Sequence, residues 1–205
     1  GRIGRLVFRC GWDHQNWEIN QINDPAGNAS TWSHLLNFDS HQGKWKHTST
    51  WSKETISVDQ RIISCTQNKN LEESDWSNCD LVIEASGQMK TAELLQKYLD
   101  QGVGQVIVTA PMTEDGILNL VVGVNHHLYT QDKPPIVTAS SCTTNCIAPA
   151  INLILEQFGI AHGSITTVHD ITNTQAVLDS GHKDLRRARS SGSNLIPTTT
   201  GSARA

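Results

Sequence analysis

Long apolar runs are absent from this sequence of 205 residues, and no stretch approaches the roughly 20 apolar residues of a membrane-spanning helix. Basic residues do not dominate either: the formal net charge is −4, so the composition gives no general reason to expect a nucleic-acid partner. The opening Gly-Arg-Ile-Gly-Arg has no apolar core of the kind a secretory signal needs. We therefore expect a cytoplasmic protein.

Cysteines are few and show no metal-binding repeat apart from the pair Cys142 and Cys146. Five cysteines cannot all be paired, and this favours a reducing compartment over a disulfide-bonded secreted fold. A metal site at the pair would need further thiolate or imidazole ligands at suitable spacing, which the sequence does not offer. We expect no metal, and we interpret Cys146 as a packed, inert thiol.

Short apolar runs alternate with helical patterns through the first two thirds of the chain. The strands predicted from these runs are 17–22, 81–83, 106–108, 118–124 and 136–137, with an antiparallel hairpin within 48–65. The helices predicted are one that follows Gly1 and those over 31–38 and 91–100. Such alternation predicts an α/β fold built on a doubly wound parallel sheet.

The pattern changes at residue 142, where a long helix to about 156 is followed by a predicted strand at 164–169 and a polar loop. We therefore expect two domains, 1–141 and 142–205, the second being the beginning of an α+β domain. The sequence opens without Met, in a glycine turn, and stops within a continuing segment. We expect it to be a piece of a longer protein.

Gly1 and Gly4 match the second half of the dinucleotide-binding fingerprint G-x-G-x-x-G, and Asp24 follows 20 residues after Gly4 at the end of a predicted strand. The helix after Gly1 would point its N-terminus at a pyrophosphate. The alternatives are a plain helix-entry turn at Gly1 and a turn-forming Asp24 before Pro25. The residues predicted to contact a dinucleotide are Gly1, Arg2, Ile3, Asp24, Ser86, Gly87 and Thr109.

Cys142 begins a predicted helix, and His169 ends an apolar run 27 residues later. Unpaired backbone N–H groups and the positive end of the helix dipole favour a thiolate at such a position. Histidine is the usual proton acceptor beside a nucleophilic cysteine. We predict that Cys142 is a nucleophile and His169 its base, although a lone histidine is more often a satisfied core residue.

The one dense basic run extends from Lys183 to Arg189. It is either a solvated face or an anion-binding loop, because guanidinium groups suit bidentate contacts to phosphate. We predict a mixture, with Arg187 near an anion and the remaining side chains in loop and subunit contacts.

Several segments resemble those of phosphorylating glyceraldehyde-3-phosphate dehydrogenases, and the resemblance covers essentially the whole chain. The segments are Gly-Arg-Ile-Gly-Arg at 1–5, Ile-Asn-Asp-Pro at 22–25, His-Leu-Leu-Asn-Phe-Asp-Ser at 34–40, Ser-Cys-Thr-Thr-Asn-Cys at 141–146 and Pro-Thr-Thr-Thr-Gly at 197–201. The resemblance implies a dinucleotide-binding (Rossmann) domain over 1–141 and a catalytic domain beginning at 142. It also implies that a first strand and roughly the last third of the protein are missing.

What the resemblance implies for function is oxidation of glyceraldehyde 3-phosphate through a cysteine thioester, with NAD or NADP as cofactor, in a homotetramer. Cys142 and His169 match the nucleophile and base of the family. The positions that match phosphate-binding groups are Ser141, Thr143, Thr172, Arg187, Thr200 and Gly201. The segment 179–181 departs from relatives specific for NAD, so NADP use is open, and in a separate departure Ile171 stands where the family usually has an aromatic residue.

Four further segments, 28–30, 67–69, 113–116 and 123–129, resemble a subgroup found beside an organoarsenical exporter in arsenic-resistance operons. This suggests arsenate as an acyl acceptor, with phosphate as the ordinary alternative. Two other hypotheses remain: a catalytically inactive nucleotide-binding or interaction module, and a non-phosphorylating aldehyde dehydrogenase, which would not need the anion site at Thr200 and Gly201.

Overall fold

The computed structural model describes residues 1–129, 134–172 and 175–198, and the chain divides into two compact units, Gly1–Ser141 and Cys142–Ala205. The helices are α1 (Arg2–Gly11), α2 (Ala29–Asn37), α3 (Ala92–Leu99) and α4 (Cys142–Phe158). The strands are β1 (Gln21–Asn23), β2 (Phe38–Asp39), β3 (Gly43–Lys44), β4 (Ser49–Ser52), β5 (Thr55–Val58), β6 (Arg61–Thr66), β7 (Leu81–Glu84), β8 (Gln105–Val108), β9 (Leu118–Asn119) and β10 (Ile136–Thr138). Within the described ranges, none of the helices is long and apolar enough to cross a membrane.

One sheet of the first unit has the strand order β1-β6-β5-β4. β1 runs parallel to β6, whereas β4, β5 and β6 are antiparallel neighbours. Residues alternate across β6, so that Ile63 is fully buried while Ile62 is 71% exposed. The buried side packs in one core with Phe8 of α1 and with Trp32 and Leu36 of α2. This core fixes the start of α1 beside the end of β1.

The other large sheet, in the order β7-β8-β10-β9, is parallel throughout. Val82 and Val106 are register partners in its interior, and Leu95 and Tyr98 of α3 belong to the same buried cluster. Burial of both helix and strand faces explains the continuous apolar runs of these strands. The α/β class with a parallel sheet is thus confirmed.

Local signals set two helix starts close to their predicted positions. Asn28 precedes α2 and accepts a hydrogen bond from Thr31 N–H through Oδ1, and Thr91 caps α3 in the same way by accepting from Leu94 N–H. Such caps satisfy backbone donors that the first helical turn leaves unpaired. The predicted helices over 31–38 and 91–100 therefore differ from the observed ones only at their ends.

Three predicted strands or strand regions differ from the structure in extent. The strand predicted over 17–22 is shorter and ends one residue later, at Gln21–Asn23, and the region predicted as a hairpin within 48–65 forms three antiparallel strands. The strand predicted over 118–124 stops at Asn119, because Gly123 turns the chain with φ +88° and Asn125 Oδ1 accepts from Val121 N–H.

In the second unit, α4 begins at Cys142, as predicted, and extends two residues beyond the expected end. The strand predicted over 164–169 is wrong, since no regular element is found there. A strand needs a partner for its backbone groups. Within this unit Ile165 and Val168 are 52% and 86% exposed, so these apolar side chains are not buried in a core.

Candidate functional site

The first turn of α1 lies against the carboxyl end of β1. The backbone nitrogen of Gly1 lies 2.7 Å from Asp24 Oδ2, and Asp24 Oδ1 accepts from Ala26 N–H at 3.0 Å. Asp24 directly follows β1 and is only 20% exposed. The structure therefore brings the predicted pyrophosphate-binding helix start and the predicted ribose-binding carboxylate together.

The segment after β7 adjoins the same helix start. A methyl group in place of a Gly4 hydrogen would lie 3.5 Å from Ala85 Cβ, and one on Gly1 would lie 3.9 Å from the Ala85 carbonyl oxygen. Gly87 has φ +70° and open space around its α-carbon, a conformation that favours glycine. Ser86 and Gly87 thus form a turn close to Gly1.

Thr109, at the end of β8, is tied to the end of β7. Its N–H and its hydroxyl both donate to the Glu84 carbonyl oxygen, at 2.9 and 3.2 Å. The carboxyl ends of neighbouring parallel strands form the usual ligand-binding edge of such a sheet. Thr109 therefore lies on the same edge as the Ser86–Gly87 turn.

Two other residues of the predicted fingerprint have different surroundings. Arg2 Nη1 lies 3.9 Å from Asp39 Oδ1, and Ile3 is 48% exposed. Hydrogen bonds from the N–H groups of Gln42 and His41, followed by the charges of Arg2 and Arg5, lower the pKa of Asp39 to about 2. A charged carboxylate thus faces one side of the α1 N-terminal turn.

Sequence reasoning missed a polar network beyond the ends of β1 and β6. Asn23 Oδ1 accepts from Thr66 Oγ1 and from Asn68 N–H, both at 2.9 Å, and Asn23 Nδ2 donates to the Asn68 carbonyl at 3.0 Å. This network fixes the segment next to Asp24. The sequence shows only an amide side chain, that of Asn23, at the end of a predicted strand. Its partner Asn68 lies 45 residues further along the chain.

A second residue that the sequence analysis missed is Glu84, the last residue of β7. It is 5% exposed, and its carboxylate accepts hydrogen bonds from Ser86 N–H and from the Tyr98 hydroxyl. Its signal in the sequence was an acidic residue at the end of an apolar run.

Cys142 is the first residue of α4, where backbone N–H groups have no partner within the helix. Its side chain is exposed, and its Sγ lies 3.9 Å from Thr143 Oγ1. Cys146 is also exposed, one helical turn later, so the predicted packed thiol at this position is wrong within the described residues of its unit.

In the first unit, the chain leading toward Cys142 is held in an unusual conformation. Ser140 is buried with φ +56°, a region that non-glycine residues seldom adopt. Its N–H donates to Thr138 Oγ1 at 3.0 Å, and Thr138 Oγ1 donates to Asn119 Oδ1 at 2.7 Å. This buried chain of hydrogen bonds holds the sharp turn two residues before the cysteine.

His169 is exposed, and its Nδ1 lies 2.7 Å from the carbonyl oxygen of Asp170. No hydrogen bond joins the His169 ring to the Cys142 thiol among the residues described. Thr172 is exposed too, and its N–H donates to Gln175 Oε1. The second unit therefore does not show the predicted nucleophile and base in contact.

Arg187, one of the predicted anion-binding residues, lies beside a carboxylate of the second unit. Arg187 Nε lies 3.9 Å from Asp184 Oδ2, and Arg186 forms two hydrogen bonds with the same carboxylate. Ser141 and Thr143 are half-buried at the start of α4. Thr200 and Gly201 lie outside the described residues.

Two family models match the chain. Residues 1–92 match the NAD binding domain of glyceraldehyde 3-phosphate dehydrogenase, and residues 141–205 match the C-terminal domain of the same enzyme. The chain belongs to the glyceraldehyde-3-phosphate dehydrogenase family. The resemblance carried by the sequence motifs is confirmed, and the first unit contains the family's Rossmann-type dinucleotide-binding domain.

Curated relatives give the same result over the whole chain. Glyceraldehyde-3-phosphate dehydrogenase 3 of Nostoc sp. is 46% identical, the chloroplastic enzyme of Chondrus crispus 44%, and the enzyme of Mycoplasma pneumoniae 39%. Each match covers 100% of this chain but only 61%, 50% and 61% of the respective relative. The chain thus spans between half and two thirds of the length of these relatives.

Proposed function

We propose that the complete gene product is a phosphorylating glyceraldehyde-3-phosphate dehydrogenase that uses NAD or NADP. The observation that carries the proposal is the position of Cys142 as the first residue of α4, in a segment that matches the family's C-terminal domain. A nucleotide-binding module without catalysis has no physical need for an exposed thiol at a helix start.

The first unit offers donors that suit a dinucleotide. The start of α1 would bind the pyrophosphate, the Asp24 carboxylate would accept hydrogen bonds from ribose hydroxyls, and the Ser86–Gly87 turn and Thr109 would face the rest of the cofactor. Support comes from the contact of Gly1 with Asp24 and from the open backbone at Gly87. A bound nicotinamide cofactor would supply the hydride acceptor for the oxidation.

In the proposed chemistry, the Cys142 thiolate adds to the aldehyde carbon, and the backbone N–H groups of the α4 start stabilise the resulting oxyanion. His169 would protonate this oxyanion and then take the hydroxyl proton back as a hydride leaves the carbon, which becomes that of a thioester. Inorganic phosphate, held by Ser141, Thr143, Thr200 and Gly201, then attacks the thioester and releases the cysteine. Thr172 and Arg187 would bind phosphate groups in the same pocket. These roles rest on the matched motifs.

Arsenate is a second acyl acceptor that we propose for the same anion site. Phosphate and arsenate are tetrahedral oxyanions of similar charge, so hydroxyl and N–H donors discriminate poorly between them. The arsenic-operon resemblance suggests that the labile 1-arseno-3-phosphoglycerate is a physiological product. Deletion of the gene tests this: arsenate sensitivity with normal growth on glucose would support it, whereas failure on glucose with normal arsenate resistance would contradict it.

We further propose a homotetramer in the cytoplasm. α4 exposes the apolar side chains Leu153, Ile154, Leu155 and Phe158. We expect these side chains to be buried against another part of the gene product or against a second copy. Light scattering on the complete gene product tests the assembly, and cell fractionation tests the compartment.

The activity itself is tested by following NADH or NADPH formation from glyceraldehyde 3-phosphate in the complete gene product. The proposal requires a rate that depends on phosphate or arsenate as well as on the aldehyde. Oxidation that proceeds at an equal rate without any oxyanion would instead indicate a non-phosphorylating aldehyde dehydrogenase.

A further inference from the structure

Glu84 is a buried acid at the carboxyl end of β7, and both of its carboxylate oxygens are engaged. Oε1 accepts from Ser86 N–H at 2.7 Å, and Oε2 accepts from the Tyr98 hydroxyl at 2.7 Å. The Glu84 carbonyl also accepts from the N–H and hydroxyl of Thr109. One residue is therefore bonded to both of the strand ends that are expected to face the cofactor.

Tyr98 is a rigid partner for this carboxylate. It lies on α3, is 5% exposed, and packs edge-on against Trp76 with ring centroids 5.2 Å apart. Burial, followed by the neighbouring Glu84 charge, raises the pKa of Tyr98 far above its usual range. The hydroxyl thus keeps its proton and remains a donor to Glu84.

An acidic side chain is an unusual choice at this position if the only requirement is a stable core. Val82, two residues earlier on the same face of β7, is buried among apolar side chains. An apolar residue of similar size often gives equal or greater stability than a buried charge. The carboxylate accepts a hydrogen bond from Ser86 N–H, and this bond closes the turn that leads to Gly87.

We propose that Glu84 is a positioning residue for the cofactor: held by Tyr98, its carboxylate fixes the backbone of the Ser86–Gly87 turn in the shape that a bound dinucleotide requires. This inference rests on the proposed function, in which that turn contacts NAD or NADP. Glu84 itself is screened from solvent and acts through Ser86.

Three variants of the complete gene product separate positioning from packing. Glu84→Met keeps the approximate size but leaves Ser86 N–H without its acceptor. Glu84→Gln can still accept from Ser86 N–H while its amide donates to the Tyr98 oxygen. Tyr98→Phe retains the carboxylate but removes the hydroxyl group that donates a hydrogen bond to it.

The matched control is Ser33→Ala. Ser33 is also buried in the first unit, where it accepts a hydrogen bond from the Ser49 hydroxyl at 3.0 Å. The variant loses a buried hydrogen bond at a position away from the strand ends, so it reports the effect of reduced stability alone.

The measurements are the KM for the cofactor and kcat, the Kd for NAD and NADP by calorimetry, and amide hydrogen exchange at Ser86. Glu84→Met should raise the cofactor KM and Kd about tenfold or more, with a smaller loss of kcat, and Ser86 should lose its exchange protection. Glu84→Gln should restore values within about threefold of the unmodified protein. Ser33→Ala should leave the cofactor KM unchanged.

A cofactor KM and a Ser86 exchange rate in Glu84→Met that match those of Ser33→Ala would overturn the proposal. If Glu84→Met does not fold, Tyr98→Phe decides, because unchanged Ser86 exchange and cofactor Kd in that variant would also overturn it. Absence of NAD and NADP binding in the unmodified protein would refute the proposed function instead, and with it the cofactor role of Glu84.

Discussion

The substitution Asp24→Asn is expected to weaken NAD binding without disturbing the turn at the end of β1. Asp24 Oδ1 accepts from Ala26 N–H, and an asparagine at this position retains that acceptor. What it loses is the negative charge on the second oxygen, which lies 2.7 Å from the backbone nitrogen of Gly1 at the α1 start. The variant therefore changes electrostatics at the proposed ribose site while the local backbone keeps its bond.

The expected magnitude follows from the loss of hydrogen bonds to a charged acceptor. Such bonds contribute about 1.5–3 kcal/mol, which corresponds to about 10- to 150-fold in affinity. Because the Asp24 side chain is 20% exposed, water partly compensates, and we expect the lower end, about tenfold in the KM for NAD. The KM for NADP should not rise, since the neutral amide no longer repels a 2′-phosphate.

Steady-state rates of the complete gene product with each cofactor measure this change in preference. Asp75→Asn is a matched control, because Asp75 Oδ1 accepts from Ser77 N–H in a similar turn, which lies in the segment before β7. The control should retain the original KM for both cofactors. An unchanged KM for NAD in Asp24→Asn, or an equal change in the control, would refute the assignment of Asp24.

The remaining predictions concern the thiols and the base. Cys142→Ser should abolish dehydrogenase turnover while Cys146→Ser retains most of it, and equal losses would contradict the choice of nucleophile. His169→Asn should slow kcat by about 10²- to 10⁴-fold, and an unchanged kcat would remove this histidine from the mechanism. Burial raises the pKa of Cys65 to about 11, so about one molecule in a thousand carries a Cys65 thiolate at pH 8. Peptide mass spectrometry should therefore find iodoacetamide on exposed Cys142 at neutral pH, and on Cys65 only above about pH 10. Labelling of Cys65 at neutral pH would contradict its burial.

Much of the first unit could be predicted from its sequence because the signals are local. The apolar runs of β7 and β8 and the capping residues Asn28 and Thr91 lie within the elements they define. The proximity of Gly1 to Asp24 depends on one core, which contains residues of α1 and packs against β1. Periodicity and caps are sufficient where a partner strand or helix is present.

Other features depend on partners that are distant in the sequence. The bond from Tyr98 to Glu84 joins residues 14 apart, and the Asn23 and Asn68 bonds join residues 45 apart, so no local pattern could predict them. The failed strand at 164–169 shows the converse. Its apolar pattern is real, but among the residues described in the second unit it has no neighbouring strand with which to form backbone hydrogen bonds.

The central claim, that Cys142 forms the covalent intermediate, is tested most directly by mixing the complete gene product with glyceraldehyde 3-phosphate and NAD or NADP in buffer free of phosphate and arsenate. Rapid quenching and peptide mass spectrometry then locate the acyl group. The account predicts a burst of about one reduced cofactor per active site and a 3-phosphoglyceroyl group on Cys142, which disappears on addition of phosphate. A burst with the acyl group on Cys146, or turnover with no acyl-enzyme at all, would contradict it.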